Sequence, residues 1–117
     1  MQENNTELKI SAQICEKVNE VKIGWKTFDI YESEPCESGG DLVYGYIDYY
    51  NSKIFLKQNM DKNQYKATFL HEVLHGIDDI YCFNFSEQTI KRLANCLYEV
   101  IKDNAELFKK VLFEEDN

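Results

Sequence analysis

The sequence has little proline, no long apolar run and no closely paired cysteines. One proline and five glycines occur among 117 residues, with no repeat or low-complexity segment. No stretch of about 18 apolar residues is present, so we expect no membrane span. Residues 1–10 have no charged-then-apolar leader, so we expect no secretory signal. The length suits one domain over residues 1–117 and excludes two large catalytic lobes, and we expect a cytoplasmic protein.

Positive charge is also scarce. The chain has 21 acidic and 13 basic side chains, a formal net charge of −8 and a pI near 4.7. Proteins that bind nucleic acid neutralise its phosphates with clustered lysine and arginine. We therefore expect no direct contact with nucleic acid.

The four cysteines are Cys15, Cys36, Cys82 and Cys96. Their wide spacing is typical of reduced thiols rather than of a disulfide framework. A redox or nucleophilic thiol would need a neighbour that lowers its pKa, and the sequence supplies no evident one. We therefore expect the cysteines to be buried or half-buried small hydrophobic side chains.

The first half of the chain predicts one helix and a small sheet. Thr6 and a partly helical spacing of apolar residues favour a helix over 6–20. Alternating β-forming residues favour a strand over 22–32, with a break near Lys26. Shorter β-rich runs at 43–49 and 53–57 form a predicted hairpin, which makes three strands in all.

The second half predicts helices. Asp61 and Gln64 have the spacing of a capping box that opens a helix over 62–80. Ser86 can cap the next helix over 87–102, and a short amphipathic helix follows Asn104. The predicted fold class is therefore α+β, with an N-terminal helix, a small three-stranded sheet and then packed helices.

The most informative segment is His71-Glu72-Val73-Leu74-His75, an H-E-x-x-H motif inside the predicted 62–80 helix. Residues four apart lie on one helix face, so both imidazoles can reach one zinc ion. Glu72 is rotated about 100° from His71, which suits a carboxylate that takes a proton from zinc-activated water. The alternative is two ordinary histidines on a helix. Both histidines of the chain lie in the motif, which favours zinc.

A catalytic zinc site needs a third protein ligand. On the 87–102 helix, Glu87 lies about 60° from Ile90, at the edge of the apolar face, whereas Glu99 points away. A carboxylate beside a buried face needs a partner, so we predict Glu87 as the third ligand. The alternative is that an acid in the first helical turn merely favours the helix dipole.

Two further acids, Asp78 and Asp79, follow His75 closely. Asp79 lies about 12 Å along the helix from His71, too far to share one metal with both histidines. We predict that Asp79, or else Asp78, accepts a hydrogen bond from a ligand imidazole. Both could equally be solvated acids near a helix end.

Residues 44–101 resemble the ImmA/IrrE-type small metallopeptidases, which are gluzincin-like proteins common on phages and other mobile elements. The matching residues are Ile54-Phe55-Leu56, then residues 67–75 with the H-E-x-x-H motif, then Glu87 placed three residues before Ile90 and seven before Ala94. The resemblance implies a minimal zincin-like domain, zinc held by His71, His75 and Glu87, and hydrolysis of a protein substrate, often a regulatory one.

The expected function is thus zinc-dependent peptide hydrolysis with Glu72 as general base. In so short a chain we expect an extended peptide to bind along an exposed strand edge, for which Lys53–Lys57 is the predicted strand. The alternative is a non-catalytic binding or regulatory protein on the same fold, in which the metal is structural or absent. The presence of Glu72 favours the peptidase, because an inactive scaffold has no need of a general base.

Overall fold

In a computed structural model, residues 14–114 are described, and they form an α+β fold. The elements in chain order are β1 (Ile14–Ile23), β2 (Lys26–Glu34), β3 (Glu37–Ser38), β4 (Asp41–Leu42), β5 (Gly45–Asp48), β6 (Lys53–Lys57), α1 (Lys62–Tyr81), α2 (Glu87–Asp103) and α3 (Ala105–Phe113). The predicted fold class is confirmed at this level. Within residues 14–114, no helix has the length and apolar character needed to cross a membrane.

Within residues 14–114, the main sheet has four strands in the order β1-β2-β6-β5, and β3 and β4 form a separate two-stranded sheet. β2 and β6 run parallel, whereas the other two pairs in the main sheet are antiparallel. The predicted three-stranded sheet is therefore wrong. A turn at Gly24 and Trp25 divides the strand predicted over 22–32, and the new strand β1 extends toward the N-terminus.

The N-terminal helix predicted over 6–20 is wrong from residue 14 onward, where the chain forms β1, and residues 6–13 lie outside the described part. β1 pairs with β2 through its backbone, and its side chains from Ile14 to Glu20 are exposed. A register shift between Lys17 and Asn19 interrupts the alternation further. The strand therefore lacks the alternation of apolar and polar residues that identifies a half-buried strand in sequence.

β6 lies inside the sheet, between β2 and β5. The expectation that Lys53–Lys57 offers a free edge is therefore wrong, because both of its sides are paired. The predicted hairpin itself is confirmed, since β5 and β6 are antiparallel and adjacent. In the sheet formed by residues 14–57, β5 is the hairpin strand that lies at the edge.

Helix α1 covers one face of the sheet. The buried core beneath it consists of Ile23, Phe28, Ile30, Ile54 and Leu56. Gly76 brings the helix close to the sheet, because a Cβ atom at this position would lie 2.6 Å from Cδ1 of Ile23.

The helix boundaries agree with the sequence prediction. The Asp61 side chain accepts hydrogen bonds from the backbone N–H groups of Asn63 and Gln64, and Ser86 accepts from Thr89. The Gln64 side chain does not complete a capping box, because its Nε2 donates to Thr68. α2 runs back along α1 and buries Ile90 and Ala94 against Leu74. The predicted tail helix is α3, which has no buried residue.

Candidate metal centre

His71 and His75 project from the same face of α1. Their ring centroids are 4.9 Å apart and their planes are inclined by 65°. Each histidine side chain is 22% exposed, so both rings are reachable from solvent. Burial lowers the pKa of His71 from its ordinary value, and this favours the neutral imidazole, which is the form that binds metals.

The carboxylate of Glu87 meets both imidazoles. One of its oxygens lies 2.7 Å from Nε2 of His75, and the other lies 3.2 Å from Nε2 of His71. The ligand atoms of all three residues lie within 4.8 Å of one another. Glu87 is the first residue of α2, so the antiparallel packing of α2 on α1 places it at the histidines.

This arrangement has the size of a zinc site. Two ligands bonded at about 2.0–2.1 Å to a tetrahedral zinc lie about 3.3 Å apart. The separation between His71 and Glu87 is 3.2 Å, so small side-chain shifts suffice. Two imidazoles and one carboxylate form a common ligand set of catalytic zinc, which keeps one position open.

Glu72, in contrast, is buried. It is only 5% exposed, and within residues 14–114 its carboxylate makes no hydrogen bond or ion pair. Burial, and secondarily the charge of Glu87, raises the pKa of Glu72 to about 7. Glu72 and His71 both line a cavity of about 260 Å³. A carboxylate with this pKa can both accept and return a proton near neutral pH.

Asp78 and Asp79 lie at the end of α1. The Asp78 carboxylate accepts a 2.8 Å hydrogen bond from the backbone N–H of Phe85, which holds the connection leading to Glu87. Asp78 thus helps to place Glu87. Among the described residues, neither aspartate carboxylate hydrogen bonds an imidazole.

The neighbour of His75 is instead Tyr49, which sequence reasoning did not single out. Its hydroxyl oxygen lies 3.3 Å from Nδ1 of His75. Burial, together with nearby carboxylates of which Asp79 is the first, raises the pKa of Tyr49 to about 12, so the phenol stays protonated. The cluster of tyrosines before β6 is visible in sequence, but no local pattern shows which of them reaches a histidine 26 positions away.

The chain matches no known family model, no curated protein and no solved structure. The resemblance to the ImmA/IrrE-type metallopeptidases therefore stays a prediction made from the motif residues. A fold does not by itself imply a function, so the geometry of the site carries the functional assignment.

Proposed function

We propose that this protein is a zinc-dependent peptidase with a minimal zincin-like domain, acting on a protein substrate. The observation that supports this proposal best is the convergence of His71, His75 and Glu87 on one point. The buried carboxylate of Glu72, beside the first of these ligands, supports it further. A merely structural metal would need no unpaired carboxylate at this position.

In the proposed reaction, zinc would activate the water molecule and Glu72 would transfer the proton. Bound zinc would lower the pKa of a water molecule and polarise the peptide carbonyl. Glu72 takes one proton from the attacking water, whose oxygen bonds to the carbonyl carbon. Glu72 then returns this proton to the amide nitrogen as the carbon–nitrogen bond breaks.

The substrate would bind along the edge of β5. Tyr44 directly precedes β5, and its carbonyl accepts a hydrogen bond from the N–H of Lys57. The backbone N–H and C=O groups of Tyr44 therefore face β6. In an antiparallel pair these groups alternate, so the N–H and C=O groups of Gly45 and Ile47 point away from β6. An extended peptide could pair with them, as in other strand-addition complexes. Gly45 also lines the cavity that contains Glu72.

The test is cleavage of short random-sequence peptides by zinc-loaded protein, read by mass spectrometry. Loss of a general base lowers the rate by about 10²–10⁴-fold, so we expect this loss in Glu72→Gln with zinc content unchanged. Glu99→Gln is the matched control, because Glu99 is exposed on α2. Undiminished cleavage by Glu72→Gln would contradict the mechanism. No cleavage by the zinc-loaded wild type would favour the non-catalytic binding protein.

A further inference from the structure

A polar groove continues from the metal centre between α1 and α2. On α2, Lys91 and Asn95 follow Glu87 at intervals of four residues, so all three share one helix face. On α1, the facing side chains are those of Thr68 and Gln64, one and two turns before the histidines. These residues line the same cavity as Glu72.

Among the described residues that line this cavity, Lys91 supplies the only positive side chain. It is exposed, and within residues 14–114 it makes no hydrogen bond or ion pair. Although the chain has a net charge of −8, this lysine beside the candidate metal centre has no anionic partner among the described residues.

Two amide side chains accompany this lysine. Asn95 lies one turn further along α2, and Gln64 faces it from α1. The Gln64 amide donates one hydrogen bond to Thr68, which fixes its orientation and leaves its second N–H free. A carboxylate accepts hydrogen bonds at two oxygens, so one lysine with flanking amides matches its needs.

We propose that this groove binds a carboxylate of the peptide substrate through Lys91 and Asn95, so that the protein selects peptides that present a carboxylate at this place. The inference rests on the proposed peptidase function. Lys91 lies one helical turn, about 6 Å, beyond Glu87. An extended peptide advances about 3.3 Å per residue, so the recognised carboxylate lies one or two residues from the bond that is cut. The negative charges of Glu72 and Glu87 repel an incoming anion, so it binds at the end of the groove where Lys91 lies.

The carboxylate can come from an aspartate or glutamate side chain or from the C-terminus of the peptide. The experiment separates these sources with three random-sequence peptide pools. The first two are blocked at both ends and carry glutamate or glutamine at one fixed position, and the third has glutamine and a free C-terminus. Binding is measured by calorimetry on full-length Glu72→Gln protein, both zinc-loaded and metal-free, so that the readout does not depend on cleavage.

We expect one of the two carboxylate pools to bind about threefold tighter than the blocked glutamine pool, which is the ratio that a partly screened ion pair supports. Adding Lys91→Met should reduce this ratio to about one, whereas Lys91→Arg should keep it. Lys109→Met removes the same charge from the distant helix α3 and should leave the ratio unchanged. High salt should weaken the preference, because the pair is near solvent.

Equal binding of all pools, or a preference that survives Lys91→Met, would overturn the inference. The peptidase proposal can be contradicted independently. A Lys91-dependent preference without any cleavage by the wild type would support the carboxylate groove and contradict the peptidase. Cleavage without the preference would support the peptidase and contradict the carboxylate groove.

Discussion

The hydroxyl oxygen of Tyr49 lies 3.3 Å from Nδ1 of His75, and a carboxylate oxygen of Glu87 lies 2.7 Å from Nε2 of the same ring. The two nitrogens of one imidazole thus have separate neighbours. If Nε2 held a metal, Nδ1 would carry the ring proton, and its N–H could donate a hydrogen bond to the Tyr49 oxygen. This contact fixes the orientation of the ring, which is the role that carboxylates or carbonyl groups have in many zinc sites.

The first prediction concerns Tyr49. Removal of such a supporting contact costs about 10–100-fold in metal affinity, and we expect the lower end for Tyr49→Phe because the phenol is partly exposed. The measurement is competition for zinc with a chelating dye. Tyr50→Phe is the matched control, since Tyr50 is 93% exposed. Unchanged zinc affinity in Tyr49→Phe would show that this contact does not support the site.

The second prediction concerns the close contact between β5 and α1. A Cβ atom on Gly45 would lie 2.7 Å from Cγ2 of Thr68 and 2.9 Å from the backbone oxygen of Phe55. We expect Gly45→Ala to lower the free energy of unfolding by about 1–3 kcal/mol, because the helix or the neighbouring strand must shift. Urea denaturation measures this change.

A second variant tests this reason for the loss. Thr68→Ser removes the methyl group in the closest contact but leaves the Phe55 backbone in place. Thr68→Ser combined with Gly45→Ala should therefore recover only part of the lost stability. Full recovery, or no loss in Gly45→Ala itself, would contradict the geometry.

The third prediction concerns alkaline pH. The Tyr65 hydroxyl donates a 2.7 Å hydrogen bond to Glu32, and burial followed by this bond raises the pKa of Tyr65 from 10.0 to about 12. The folded state therefore holds the phenol proton more tightly than the unfolded state. The resulting stabilisation is complete below pH 10 and is lost as the pH rises toward 12.

Denaturation at several pH values checks this third prediction. Tyr65→Phe should lower the stability by about 1 kcal/mol at neutral pH, through loss of the hydrogen bond. The variant should then lose less stability than the wild type between pH 10 and 12. Tyr44→Phe is a suitable control, because Tyr44 is 58% exposed. An equal loss of stability in the wild type and in Tyr65→Phe between pH 10 and 12 would contradict the assignment of this loss to Tyr65.

The helices and the site were predictable because their signals are local. Asp61 and Ser86 mark helix starts, and a clean apolar stripe defines α2. The four-residue spacing of the histidines places them on one face in any helix. Glu87 was predictable because its angle on α2 relative to Ile90 fixes the side toward which it points. The same reasoning from helix angles places Lys91, four positions further along α2, on the side of Glu87.

The sheet was harder to predict because its pairing is not local. The spacing of Ile14, Val18 and Val21 imitates a helix, yet these residues belong to a strand that pairs with β2 through backbone hydrogen bonds. No pattern within β6 shows that it pairs in parallel with β2, a strand that precedes it by more than twenty residues. The contact of Tyr49 with His75 depends on the same tertiary packing.

The most direct test of the central claim is zinc stoichiometry, measured by elemental mass spectrometry on protein purified without a histidine tag. We expect about one zinc per chain in the wild type and in Glu99→Ala, which removes an exposed acid from α2. Glu87→Ala should bind zinc more weakly, because only His71 and His75 remain as ligands. A wild type that binds no zinc after incubation with it, or a Glu87→Ala variant with unchanged zinc affinity, would contradict the three-residue metal centre.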